Sequence, residues 1–214
     1  MFSYNSKFFQ TVNQMIDCVF LSLLWIVFSL PVLTIGAATT ALYHAVDKVI
    51  RREEGHLFKE FWRVFRRDFK RATILWIFMV LIFCILAANF YAAFIFTWTK
   101  GNLQVFMQIA AVILIALCAL WLQYWFAYLA RFDDPVKRIL KNTLAMMITE
   151  SGTDFRLLLL FFVFVATDVV ISLYVPVLAI FMPVAYITSL NRITERLFAR
   201  YIARQEAPAQ TVTE

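Results

Sequence analysis

Charge is scarce in this sequence, and the scarcity limits what the protein can be. Lys, Arg, Asp and Glu make up 16% of the residues, whereas about 25% is usual for a soluble domain. Apolar residues make up 63%, and the mean hydropathy is +0.76. Such a chain has too few polar groups to cover a water-facing surface, and it is too apolar to stay disordered. A soluble globular enzyme and a disordered chain are therefore both excluded.

Glycine, histidine and cysteine are also few, and each shortage argues against a class of site. The sequence contains only four Gly residues, and no phosphate-binding glycine loop, nucleophile elbow or HExxH motif occurs. His44 and Asp47 share a helix face, but a catalytic zinc needs at least three protein ligands. Each Cys lies alone in an apolar stretch, which is typical of a buried thiol. We therefore expect no enzyme and no bound metal or cofactor.

Uncharged stretches that are long enough to cross a bilayer recur along the chain. A hydrocarbon core about 30 Å thick needs about 20 helical residues, and these stretches are continuously apolar rather than alternating. We expect an all-α fold, a polytopic membrane helix bundle. It forms a single domain, 1–204, followed by a disordered tail, 205–214. The predicted spans are 16–35, 72–96, 105–128, 155–173 and 175–190.

The last two spans depend on a break between them. A single straight helix over residues 155–190 would be about 54 Å long, far more than the hydrocarbon needs. Pro176 supplies a break, because proline cannot donate the helical hydrogen bond and disfavours helical geometry in the preceding residue. The segment is then either two full spans or one span followed by a re-entrant segment.

The distribution of Lys and Arg predicts the topology. Nine of them lie between Lys48 and Arg71, five between Arg131 and Arg156, and four from Arg192 onward, whereas the other connections hold at most one. Basic loops stay in the cytoplasm, so five spans with the N-terminus outside and the C-terminus inside fit a multi-pass cell-membrane protein. Four spans would leave the last basic cluster outside. The net charge of +6 then reflects topology and anionic lipid headgroups rather than nucleic acid.

In residues 57–71, apolar and aromatic residues recur every three or four positions between basic ones. This pattern predicts an amphipathic helix that precedes the second span. Such a helix favours the cytoplasmic membrane interface, where it would turn into the second span at Ala72. The alternative is a docking helix for a partner such as a transporter ATPase. Its aromatic face carries Phe58, Phe61, Phe65 and Phe69, and its lipid-headgroup face carries Lys59, Arg63, Arg66, Arg67, Lys70 and Arg71.

The first span is followed by a predicted kink or re-entrant turn. Pro31 interrupts the helical ladder, and Gly36 and its small neighbours permit close helix approach. A broken helix could hold a substrate, with Thr34, Thr39 and Thr40 as ligands. The alternative is a tightly packed corner with no ligand.

Two polar residues lie within predicted spans. Asp168 is ionisable, and such residues in a membrane are functional candidates by default. Asn89 is expected at a similar depth, so it could donate a hydrogen bond to Asp168 if the second and fourth spans touch. The sequence leaves open whether Asp168 is structural or binds a proton or ligand.

The segment from Leu24 to Trp76 resembles the signature of the YesL-like family of uncharacterised bacterial membrane proteins, and residues 128–148 resemble it more loosely. LP-x-x-T-x-G-A-x-x-x-A-L-Y is followed by an acidic-Gly turn and an F-x-x-F basic helix. Asp68 stands where relatives usually carry Asn, and His56 where an aromatic residue often follows the Gly. The matching positions are Pro31, Thr34, Gly36, Ala37, Ala41, Leu42, Tyr43, Glu54, Gly55, Phe58, Phe61, Phe65, Phe69 and Lys70.

The resemblance implies an all-helical membrane protein, largely of Gram-positive bacteria, whose relatives are often encoded beside carbohydrate-uptake genes. It implies no established activity. One hypothesis is a non-catalytic accessory or scaffold component, with carbohydrate ABC transporter components or a second copy of the chain as partners. The other is a small transporter or channel that moves a solute through its own bundle past Asp168. We prefer the first, because one intramembrane charge leaves little to line a solute pathway.

Overall fold

The structure is a computed structural model and describes residues 7–51, 56–95, 102–174 and 176–210. These residues form helices and no strand, so the predicted all-α fold is confirmed. Short 3-10 segments, Val32–Thr34 and Pro176–Phe181, precede α2 and α7, and a π-helical segment, Val46–Arg51, continues α2. The helices are α1 (Lys7–Ser29), α2 (Ile35–Ala45), α3 (Leu57–Ile95), α4 (Asn102–Leu129), α5 (Val136–Thr149), α6 (Ser151–Tyr174) and α7 (Met182–Gln210).

Four helices of the described chain are long and apolar enough to cross a membrane. The segments are Val12–Ser29, Leu57–Ala92, Val105–Leu129 and Gly152–Tyr174, which contain or overlap the first four predicted spans. Their outer surfaces carry exposed large apolar side chains such as Ile74, Val112 and Val169. Side chains of this kind are stable in hydrocarbon but not in water. The chain is thus a membrane protein.

The fifth predicted span, 175–190, starts at a residue outside the described ones. Its other residues divide between the 3-10 segment Pro176–Phe181 and the start of α7, so they do not form one continuous α-helix. α6 does end at Tyr174, as Pro176 predicted. The apolar part of α7 is too short to span by itself, because Arg192 and Glu195 follow soon after Met182.

α7 nevertheless runs back beside α6 in the antiparallel direction. The rings of Phe164 and Tyr186 lie 5.4 Å apart, and further along the pair Arg200 contacts Glu150 at 3.3 Å. α7 therefore returns to the end of the bundle from which α6 starts. It continues to Gln210, six residues into the segment predicted as a disordered tail, and residues 211–214 lie outside the described residues.

The predicted interfacial helix is not a separate helix, because its residues belong to α3. Residues 57–71 do not turn at Ala72; they form the first part of one helix of 39 residues, which is about 58 Å long at 1.5 Å per residue. Because the hydrocarbon core takes about 30 Å of this length, nearly half of α3 extends beyond it. α2 packs along this extension, and the ends of α4 and α7 complete a buried core around Tyr43, Trp125 and Phe198.

We call this part of the molecule the basic end: α2, residues 57–71 of α3, residues 123–129 of α4, α5, and residues 191–202 of α7. The buried residues concentrate here, whereas the opposite ends of α3, α4 and α6 are mostly exposed and apolar.

Candidate functional site

The predicted corner after the first span is present and is held by local hydrogen bonds. α1 ends at Ser29, and Pro31 takes an extended conformation before the 3-10 turn. Thr34 donates its hydroxyl to the Phe28 carbonyl at 2.6 Å and to the Pro31 carbonyl at 2.7 Å. Trp76 of α3 donates its indole N–H to the Val32 carbonyl at 2.8 Å. Thr34 is thus bonded to the corner backbone.

Gly36 and Tyr43 join α2 to the rest of the basic end. A Cβ at position 36 would lie 2.7 Å from Trp76 Cβ and 2.8 Å from the Ala72 carbonyl oxygen, so α2 and α3 meet at backbone distance. The Tyr43 hydroxyl shares a hydrogen bond of 2.6 Å with Thr194 of α7. Thr40 is buried and donates to the Gly36 carbonyl at 3.0 Å within its own helix. These three residues therefore have structural contacts; Gly55, their neighbour in the signature, lies outside the described residues.

The aromatic residues of the α3 extension divide into buried and exposed members. Phe61 is 0% exposed, and both it and Phe65 pack against Phe28 of α1, with ring centres 5.6 and 5.0 Å apart respectively. Phe58 is 51% and Phe69 38% exposed. Phe61 and Phe65 are therefore core residues, and Phe58 and Phe69 are the ones that can meet a lipid or a partner.

The basic residues of this extension divide in the same way. Arg63, Arg67 and Arg71 recur every four residues and form ion pairs within the protein. Lys59, Arg66 and Lys70 are exposed, and no ion pair reaches them from the residues that the structure describes; Arg66 lies over the Trp62 ring at 5.6 Å. At 3.6 residues per turn, Phe58, Phe69, Lys59, Arg66 and Lys70 fall on one side of α3, which we call the exposed arc.

An ionic cluster links α2 to α3 around Glu60. Its carboxylate contacts Lys48 at 3.2 Å and lies 3.6 Å from His44, and Arg63 donates a short hydrogen bond to it. His44 Nδ1 lies 3.2 Å from the Ala130 carbonyl. Burial lowers the pKa of His44; Arg67 and Arg63 add to this effect, and the Ala130 and Glu60 contacts oppose it. The fold therefore favours neutral His44.

A second ionic cluster joins α3 to the loop before α5, and Asp68 lies within it. This carboxylate is buried and accepts from Arg67 at 2.7 Å and from Arg71 at 2.6 Å. Arg71 also donates to Asp133 and, at 3.2 Å, to the Asp134 carbonyl. The Arg71 hydrogen bond holds the pKa of Asp133 below its ordinary value. A hydrogen bond from the Tyr128 hydroxyl, at 2.6 Å, does the same for the pKa of Asp134.

The predicted pair between Asn89 and Asp168 does not form. Asn89 is exposed and donates to the Ile85 carbonyl one turn earlier, at 2.9 Å. Asp168 lies instead in the wall of a cavity of about 490 Å³ between α1, α2, α4, α6 and α7. The sequence pairing failed because α3 does not pack extensively against α6 in the described structure.

The cavity wall is apolar and aromatic, with a few polar groups. Thr39 lines it and accepts a hydrogen bond from the Trp25 indole at 3.1 Å, so of the three predicted threonine ligands only Thr39 reaches it. Gln123 of α4 is 6% exposed, and neither its amide nitrogen nor its amide oxygen has a hydrogen-bond partner among the described residues. The buried Tyr186 hydroxyl also has no hydrogen-bond partner among the described residues.

Gln123 and Tyr186 were not predicted as site residues. The only sequence signal for Gln123 was an uncharged polar residue in the most apolar span. Tyr186 gave none, because tyrosine is common near membrane interfaces. Among the described residues, no group of three or more His, Cys, Asp or Glu side chains is arranged to hold a metal ion.

The comparisons with known proteins bear on the same part of the chain. Residues 18–90 match a family model described as a protein of unknown function, DUF624. The match covers α2, about half of α1 and most of α3, including the corner, Gly36 and the exposed arc. The predicted resemblance to an uncharacterised family is thereby confirmed for this segment. No curated protein and no solved structure matches the chain.

Proposed function

We propose that this protein is a non-catalytic accessory component of a transport system in the cell membrane. The observation that carries the proposal is the exposed arc of α3. Its aromatic and basic side chains are carried on a helix whose other side is packed and ion-paired, so the helix backbone that presents them is fixed before any partner binds. A preorganised surface loses little conformational entropy on association.

Charge decides the kind of partner that fits the arc. Lys59, Arg66 and Lys70 carry three positive charges that no described carboxylate neutralises, next to Phe58 and Phe69. A matching surface presents carboxylates around an apolar patch. We propose the cytoplasmic face of a transporter permease or its ATPase, and the family resemblance favours one for carbohydrates. A second copy of the chain is less suitable, because it would oppose like charges.

The test is a crosslinked pull-down of C-terminally tagged protein from its native membranes, with bound proteins identified by mass spectrometry. Wild type should recover a transporter component in stoichiometric amount. Arg66→Glu/Lys70→Glu should reduce that recovery at least tenfold. The matched control is Lys137→Glu/Lys141→Glu, which makes the same charge change on exposed residues of α5 and should recover the partner normally.

Two results would count against the accessory function: recovery of no protein other than the chain itself, and equal recovery of the partner by both double variants. If the arc variant instead loses only its binding to anionic liposomes, the arc is a lipid-headgroup contact.

A small transporter remains the second candidate, and the cavity around Asp168 is the observation that favours it. Purified protein in liposomes would then move a solute, and Asp168→Asn would abolish that movement. The accessory function requires neither result.

A further inference from the structure

We infer that the cavity between α1, α2, α4, α6 and α7 binds a lipophilic small molecule that carries a protonated amine. The inference does not depend on the accessory function, because the exposed arc lies on α3, which contributes no residue to the cavity wall.

The size and lining of the cavity suit a small molecule. Its volume of about 490 Å³ lies within the range of about 300–1,000 Å³ that is usual for ligand pockets. Such pockets are mostly apolar and hold a few polar groups that orient the ligand. Exposed residues of α6, Val165 and Ser172, form part of the wall, so the cavity reaches the surface of the bundle beside this helix.

The charge of the cavity selects a cation. Asp168 is the only charged side chain among the described residues that line it, and no described Lys, Arg or His faces it. Aromatic rings from five helices line the cavity, including Trp25, Tyr43, Phe126, Phe164 and Tyr186. A carboxylate beside aromatic faces attracts an ammonium group both by charge and by the ring quadrupoles.

Gln123 places a second, independent requirement on the molecule that occupies the cavity. A buried amide without hydrogen bonds destabilises the folded protein, and such groups are rare in folded proteins. Here both amide atoms are unpartnered at the cavity wall, and so is the Tyr186 hydroxyl. These atoms are closed to solvent, so an occupant that donates and accepts hydrogen bonds would pair with them after the Gln123 side chain turns into the cavity. A lipid acyl chain would not pair with them.

The experiment uses a fluorescent pair of equal size. The purified full chain in nanodiscs of zwitterionic lipid is titrated with 1-pyrenemethylammonium and, separately, with neutral 1-pyrenemethanol, and the signal of empty nanodiscs is subtracted. The ammonium probe should bind saturably at one site per chain and at least tenfold more tightly than the alcohol. Gln123→Leu should weaken both probes about three- to tenfold, because both use their polar group.

Asp168→Asn should abolish the preference for the ammonium probe, and Asp168→Glu should retain it. The matched control is Asp154→Asn, on the same helix but outside the cavity wall, where Asp154 accepts a hydrogen bond from Tyr124 at 2.6 Å. This variant should bind within twofold of wild type.

Three results would overturn the inference: no saturable binding of the ammonium probe, equal binding of the two probes by wild type, and an unchanged preference in folded Asp168→Asn. Because the comparison of the two probes is made on wild type, it remains decisive even if a variant fails to fold.

Discussion

At the scale of single residues, Gly36 is the clearest case of a side chain whose size is fixed by its neighbours. We expect Gly36→Ala to destabilise the protein by about 1–3 kcal/mol, because the new methyl group would force α2 away from Trp76 and the Ala72 carbonyl. This loss outweighs the gain in helix propensity, which is at most about 1 kcal/mol.

The measurement is the midpoint of thermal unfolding in a mild detergent at a fixed scan rate. Gly152→Ala is the matched control, because a Cβ at position 152 meets no atom within 4 Å. Its midpoint should stay the same or rise slightly. Equal midpoints for the two variants would show that α2 and α3 are not in backbone contact.

The lowered pKa of His44 predicts how the stability of the protein depends on pH. Its pKa is lower in the fold than in the unfolded chain, where it is about 6.5. The unfolded state therefore takes up the proton more readily, and stability is present above that pH and falls as the pH drops. The unfolding midpoint should decrease between pH 7.5 and 5.5, and His44→Gln should flatten this part of the curve.

His56→Gln, at an exposed position, is the control and should leave the curve unchanged. Asp133 and Asp134 act at lower pH. Their pKa values are depressed by the bonds from Arg71 and Tyr128, so a further loss of stability should begin below about pH 4. A midpoint that is flat from pH 7.5 to 5.5 in wild type would contradict the role given to His44.

Single residues also show where sequence analysis stops. The small residue at position 36 follows from the pattern after Pro31, since small residues permit close helix approach. Gln123 could not be assigned to a site in this way. Its neighbours in the cavity come from helices whose packing the sequence does not specify, and the same holds for the failed pair of Asn89 with Asp168.

At the scale of elements, α3 is the helix whose two sides have different roles. Phe61→Ala should destabilise the protein by about 3–5 kcal/mol, as is usual when a buried Phe is truncated, because it removes the contact with Phe28. Phe58→Ala should change the stability by less than about 0.5 kcal/mol, because Phe58 is largely exposed.

Urea or thermal unfolding of the two variants in the same detergent measures the difference. If Phe58→Ala proved as damaging as Phe61→Ala, the helix would be rotated relative to the orientation described here.

The sequence predicted the helicity and the basic-aromatic periodicity of residues 57–71 but not their continuity with the second span. The basic residues suggested a boundary at Ala72, because charges are costly in lipid. The helix instead continues without a turn, and its basic first part extends beyond the hydrocarbon core. Two of its Arg residues pair with Glu60 and Asp68 three residues away in the same helix. The pair of Arg67 with Asp133 joins separate segments and is not visible in a local pattern.

At the scale of the whole molecule, the number of crossings is where composition and geometry differ. Length and apolarity identify four candidate spans in the described chain, because the apolar part of α7 is short. The antiparallel contacts between α6 and α7 nevertheless return α7 to the basic end. The predicted topology, with the C-terminus inside, thus depends on packing and not on a fifth apolar span.

The proposed docking requires that the basic end face the cytoplasm. Single cysteines would be introduced at exposed positions after the native Cys18, Cys84 and Cys118 are replaced by Ala. A membrane-impermeant maleimide should label Tyr174→Cys in intact cells. It should label Arg66→Cys, Lys137→Cys and Ala199→Cys only after the membrane is permeabilised. Labelling of Arg66→Cys or Ala199→Cys in intact cells would place the exposed arc or α7 outside, and it would contradict the topology and the proposed docking together.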